Sequence, residues 1–91
     1  MAKVYHAKQP VFGLYHKGQP KWPEEYDLVA DVPSEDLEKA FALTTHIDCP
    51  WWDNRGTITY KKSRSTSVGD VIVTYDGTFL CESVGWKKLE V

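Results

Sequence analysis

His46 and Cys49 stand three residues apart, and His6, His16 and Cys81 lie elsewhere in the 91-residue chain. A structural zinc site uses two close pairs of ligands. One loose pair does not meet that pattern, so no metal and no cofactor is expected. Cys49 and Cys81 read instead as buried thiols that pack as small hydrophobes. Ser65 or Ser67 with His46 and an Asp would supply a hydroxyl nucleophile, a base and an orienting carboxylate. The chain carries no G-x-S-x-G elbow to present such a hydroxyl, and Cys49 with His46 is no stronger. Asp70 has the chemistry of a general base. A Ser67-to-Asp70 turn has a simpler use for it, because the Ser67 hydroxyl and the Asp70 carboxylate can satisfy backbone amides at a strand start. Gly69, Gly77 and Gly85 are spaced by hairpin geometry and precede no helix, so they do not cradle a phosphate. The expected protein is not an enzyme.

Binding chemistry is better represented. Cys49 to Gly56 reads CPWWDNRG and places Trp51 and Trp52 side by side. In an extended segment adjacent side chains diverge, so one indole is expected in the core and the other at the surface. With Asp53 and Asn54 beside them, and with Glu35, Asp36 and Glu38 at a helix start, they form a candidate surface for a protein partner. Trp favours interface cores ringed by polar groups. A second set, Arg55, Lys61, Lys62 and Arg64, surrounds one strand next to the Trp pair and is the candidate nucleic-acid surface: cations for phosphates, an indole for a base.

The elements that must position these residues follow from pattern. Val71 to Tyr75 is β-branched and aromatic, Asp76-Gly77 is a strong hairpin signal, and Thr78 to Glu82 returns. The C-terminal hairpin is thus expected over 71–82. With Asp76-Gly77 as the turn, Tyr75 faces Thr78, Thr74 faces Phe79, Val73 faces Leu80, Ile72 faces Cys81 and Val71 faces Glu82. Tyr75, Val73, Leu80 and Val71 then share one face, and Phe79, Ile72 and Cys81 the other. Both faces are apolar, so Ile72 and Phe79 on one side and Val73 and Leu80 on the other are all expected to be buried, in a central hairpin or a small barrel. Trp86, after the Gly85 turn, reads as a lid on the core.

Upstream, Ala2 to Leu14 suggests one or two short strands broken at Gln9-Pro10 and Gly13, and His16 to Pro20 a loop. Tyr26 to Val32 alternates, placing Tyr26, Leu28, Ala30 and Val32 on one buried face. Ser34 is the expected N-cap of a helix over about 35–46, with Glu35, Asp36 and Glu38 favoured at its positive end. Leu37, Ala40, Phe41, Thr44 and Ile47, with Leu43 beside them, form its core stripe. Pro50 stops it. Thr57 to Lys61 reads as another strand. The fold class is α+β: a single small domain over 1–91, with a curled, mostly antiparallel sheet, barrel-like at the limit, packed on one helix.

Composition bounds the partners. Aromatics make up 13 % of the chain, with four Trp, which supplies large buried areas to a small core. The net charge of −2 is unevenly spread: Lys3, Lys8, Lys17 and Lys21 stand in residues 1–22 without an acid, whereas 23–53 hold nine acids against Lys39. An acidic middle disfavours a chain-wide nucleic-acid footprint. No apolar run is long enough to span a membrane and no signal sequence is evident, so a reduced, cytoplasmic protein is expected.

The stretch RSTSVGDV, then a strand, a DG turn and GTFLCESVGW resembles the C-terminal part of small bacteriophage and plasmid proteins, among them YodL-like domains near anti-restriction genes. The matching residues are Arg64, Ser65, Ser67, Val68, Gly69, Asp70, Val71, Gly85 and Trp86, and AFALTTHIDCPWWDN upstream also looks like phage small-protein sequence. The resemblance covers about the C-terminal half. It implies a viral or mobile-element accessory protein in the host cytoplasm that binds and modulates a host or phage protein, inhibition of host defence being one form of that role. A looser similarity, to PUA-like barrels in which a Gly-Asp opens a strand, is one of fold alone. The alternative is a small β-rich nucleic-acid-binding module.

Overall fold

Strand-forming sequence is realised as six strands in a computed structural model that describes residues 1–8, 22–46 and 49–89. They are β1 (Ala2–Ala7), β2 (Tyr26–Val32), β3 (Ile58–Thr59), β4 (Val71–Thr74), β5 (Gly77–Cys81) and β6 (Trp86–Leu89). Helix α1 (Leu37–Leu43) and a 3-10 turn at Trp51–Asp53 lie between β2 and β3. All pairings are antiparallel and the strand order is β3-β2-β1-β4-β5-β6. The sheet is open rather than barrel-like, and the domain is α+β. The expected strand near Val11–Leu14, the 16–20 loop and Ile47 lie outside the described residues.

The sheet has two apolar faces, as the hairpin pattern requires. Ala2, Val4, Val29, Ala30, Val32 and Ile72 pack with Ala40 of α1 and Trp51, flanked by Leu37, Phe41, Leu43, Trp52 and Trp86. On the far face Ala7, Tyr26, Val71 and Leu80 pack with Tyr5, Trp22, Val73 and Leu89. Ile72 and Leu80 are fully buried on opposite faces; Val73 and Phe79 are only half-buried.

One feature of β2 departs from simple alternation. Val4 pairs with Ala30, but Tyr5 pairs with Leu28, which leaves Val29 as the extra residue of a β-bulge. The bulge moves the second half of the strand by one position. Tyr26 joins the far-face core while Ala30 and Val32 join the helix face, so the single buried face expected for β2 is divided between two cores. The Val29 carbonyl accepts from both Tyr60 N (2.8 Å) and Lys61 N (3.2 Å), which ends β3 after two residues instead of the five expected.

The hairpin register is shifted by two. Val71 pairs with Leu80, Ile72 with Phe79, Val73 with Thr78 and Thr74 with Gly77, so the loop residues are Tyr75-Asp76. Their amides are both satisfied by side chains: Asp76 N donates to the nearby Thr74 Oγ1 and Tyr75 N to the distant Glu35 Oε1. Positive φ falls on Gly77 alone within the turn, at 143°, and a Cβ there would stand 2.7 Å from Lys88 Cε. Because side chains alternate with period two, a shift of two leaves every residue on its expected face.

The helix is shorter than the stripe implied. Ser34 Oγ accepts from Asp36 N, and Asp36 is the N-cap, accepting from Glu38 N and Lys39 N. At the other end Thr44 Oγ1 donates back to Ala40 O, and the His46 amide is taken by Ser65 Oγ, which closes the helix at Thr44. Phe41 is half-buried; the largest fully buried side chain is Trp51. Trp51→Ala is therefore expected to cost about 3–5 kcal/mol of stability, the range for an aromatic removed from a core, and Trp52→Ala clearly less. Urea unfolding of both variants checks the order.

Candidate functional site

The RSTSVGD turn closes on itself. Gly69 at φ 95° lets the chain reverse into β4, and Asp70 then points inward and is fully buried. A buried carboxylate must be paired and hydrogen-bonded. Arg64 meets it with both terminal nitrogens, Nη1 on Oδ2 and Nη2 on Oδ1 (2.6 and 2.9 Å), and the amides of Ala7 (2.9 Å) and Ser67 (2.8 Å) donate to it as well. The hydrogen bonds to Asp70 hold the Arg64 guanidinium even more firmly protonated than usual. Arg64 also donates to the Ala7 carbonyl, so the end of β1 is tied to the turn before β4. Asp70 accepts from backbone amides as the turn chemistry suggested, whereas the Ser67 hydroxyl accepts from Arg64 Nη1 instead of from an amide.

His6 sits beside this pair, its Nε2 3.9 Å from Asp70 Oδ2. Its state follows from the hydrogen-bond chain. Thr44 Oγ1 donates to Ala40 O and accepts from Thr66 Oγ1 at 2.7 Å. Thr66 must then accept from His6 Nε2–H (2.8 Å), and His6 Nδ1 accepts from the Ser63 hydroxyl (3.2 Å). The imidazole is neutral, with its proton on Nε2. Burial, the largest effect, pushes its pKa down to about 4; Asp70 opposes and Arg64 assists. Burial likewise pushes the Cys81 thiol up to about 11, which keeps it protonated and poorly nucleophilic at neutral pH.

The other candidate groups are placed as follows. His46 Nδ1 accepts from Trp51 N at 3.1 Å, and Ser65 meets His46 only at its backbone amide, so no serine hydroxyl is hydrogen-bonded to the His46 imidazole. Cys49 is exposed, not buried. Among the described residues no three His, Cys, Asp or Glu side chains gather as a metal would need. No helix among them is long and apolar enough to cross a membrane.

Trp51 and Trp52 do not diverge as strand neighbours would, because the 3-10 turn rotates them into edge-to-face contact, centroids 5.5 Å apart. Trp51 is buried, with its indole N–H donating to the carbonyls of Ser63 and Arg64. Trp52 is half-buried beside His46, with Lys62 Nζ 5.7 Å above its ring. Asp53 is exposed, and Asn54 donates to Leu43 O at the C-terminal end of α1. Glu35 and Asp36 lie at the opposite end, about 10 Å away along seven residues of helix. The Trp loop and the acidic helix start thus stand at the two ends of α1. Of the basic set, Arg64 is taken by Asp70 and Lys61 pairs with Asp27 at 2.9 Å, while Arg55 and Lys62 stay exposed.

A different grouping forms where α1 meets the β5–β6 turn. Glu38, Phe41, Cys81, Glu82, Ser83, Gly85 and Trp86 line a cleft of about 170 Å³. Phe41 and Trp86 pack edge to face at 6.1 Å, and Trp86 Nε1 donates to Glu38 Oε2 at 2.8 Å. Trp86 is half-buried, part lid and part wall.

Against family models, curated proteins and solved structures, the chain gives no match.

The cleft was not visible in sequence because its two walls are more than forty residues apart, as Glu38 and Trp86 show. The one available signal was the i, i+3 pair Glu38 and Phe41 on α1 together with an otherwise unassigned Trp86.

The His6 chain makes a pH prediction. The folded pKa lies near 4, below the ordinary 6.5, so the unfolded chain binds the proton more tightly. The associated stability, roughly 3 kcal/mol, is present above pH 6.5 and lost as pH falls through about 4. A proton NMR titration should show the His6 ring unprotonated at pH 5. A His6 midpoint near 6.5 would contradict the closed chain.

Proposed function

We propose that this protein is a non-enzymatic binding protein that acts on another protein, as an accessory factor of a phage or mobile element working in the host cytoplasm. The observation that carries this is the pair of half-exposed indoles, Trp52 and Trp86, each edged by charged or polar groups. Aromatics rimmed by polar groups are the composition of interface cores. The groups with catalytic chemistry are engaged elsewhere: Asp70 and His6 hold the fold together, and Cys81 is kept as a thiol. The mobile-element role rests on the RSTSVGDV…GW resemblance, and inhibition of host defence is the form of it that the resemblance suggests.

The nucleic-acid alternative is weaker on charge. Two of its four cations already face carboxylates, which leaves Arg55 and Lys62 for phosphates. Each phosphate neutralised adds to the salt dependence of binding, so two contacts give a weak, shallow interaction.

Capture from bacterial host lysate, with and without nuclease and read by mass spectrometry, tests the proposal. A partner should survive nuclease, and Trp52→Ala, folded by circular dichroism, should weaken it by more than about 2 kcal/mol if Trp52 is an anchor. Trp51 cannot serve as one while it is buried. Capture that nuclease abolishes would favour the alternative. In that case, single-stranded DNA or RNA should bind at low salt, and replacing Lys62 and Arg55 with Ala should lower both affinity and salt slope. No nucleic-acid binding at low salt would remove it.

A further inference from the structure

We propose that the cleft between α1 and the β5–β6 turn is a receptor for a basic side chain, Lys or Arg, presented by the partner protein. This rests on the protein-binding function above and specifies its chemistry. The lining holds two carboxylates, Glu38 and Glu82, and no cation. Neither acid appears in the ion pairs formed among the described residues. Glu38 is oriented but not neutralised: the Trp86 indole holds Oε2 at 2.8 Å, a neutral donor that fixes the carboxylate without cancelling its charge.

The walls match the same ligand. Phe41 and Trp86 present aromatic surface beside the two carboxylates, and a cation within about 6 Å of a ring centroid is drawn to its face. The methylenes of Lys or Arg would lie on the rings while the charged head reaches the acids. Size agrees as well. About 170 Å³ is below the roughly 300–1,000 Å³ of small-molecule pockets, so one side chain fits where a cofactor does not. Two carboxylates without an ion-pair partner among the described residues disfavour an acidic or purely apolar group.

The experiment uses three pentapeptides, Gly-Gly-X-Gly-Gly with X as Arg, Lys or Gln, added to the full chain and followed by NMR. The Arg or Lys peptide should produce saturable shifts at the Trp86 indole N–H and at the amides of 81–86, with Kd near or below about 10 mM, the weak range of a single side chain. The Gln peptide should not. Glu38→Gln keeps an acceptor for the indole and removes only charge, and Glu82→Gln is at an exposed position. Each should weaken binding by about fivefold or more, and added salt should do the same. Absence of saturable shifts with both basic peptides, equal binding of the Gln peptide, or affinity unchanged in the double variant would each overturn the cleft assignment. The outcome is separable from the broader function. A captured partner that is lost with Trp52→Ala but indifferent to both Gln variants leaves protein binding intact and removes the cleft. Peptide binding without any nuclease-resistant partner does the reverse.

Discussion

The ion pair that the half-buried Arg64 makes with the fully buried Asp70 carboxylate is the constraint on which the rest of the molecule depends. It lies where β1 ends, where β4 begins and where the long connection from the helix returns, so three stretches distant in sequence meet on one carboxylate. Replacing such a pair with apolar residues can be neutral, but removing one partner leaves an uncompensated charge inside the protein, a loss of about 3–5 kcal/mol. The pair therefore specifies how the pieces meet more than it adds net stability. The Ser63–His6–Thr66–Thr44 chain extends that specification to the end of α1, and the Trp51 indole fixes the same segment from the other side.

Much of this was legible in the chain. The strand over 26–32 follows directly from its alternation, the hairpin from its β-branched run, and the two-sided core from the fact that both hairpin faces are apolar. The turn role of Asp70 follows from local chemistry. What was not legible depends on contacts from afar. The hairpin turn moved because Glu35, forty residues earlier, takes the Tyr75 amide. The N-cap moved because Ser34 serves the Asp36 amide, an alternative that short polar side chains offer the backbone. The two indoles share one side because their backbone is a 3-10 turn and not a strand.

The candidate site shows the same limit more sharply. Residue type alone named both Trp51 and Trp52 and left open which is exposed; the fold buries Trp51, and it places Trp52 and Glu38 near opposite ends of α1. Glu38 instead belongs with Trp86, a residue whose sequence neighbourhood suggested only a core lid. Charge counts were similarly incomplete: the basic cluster at 55–64 is real in sequence, yet Asp27 and Asp70 offset half of it once the chain folds. A surface is the remainder after internal pairing, and that remainder is a property of the fold.

The extra residue at Val29 gives β2 a double allegiance. Its first half serves the far-face core through Tyr26, and its second half serves the helix-side core through Ala30 and Val32. Like β1 and β4, the strand couples the two cores through the backbone, but it alone among the described strands does so across a bulge. Losing Val29 itself would restore a regular ladder and leave every other residue of β2 on its present face, since Tyr5–Leu28 and Val4–Ala30 would become consecutive pairs; what would go is one fully buried side chain. In this chain it is the bulge that divides one even-numbered apolar series between two cores.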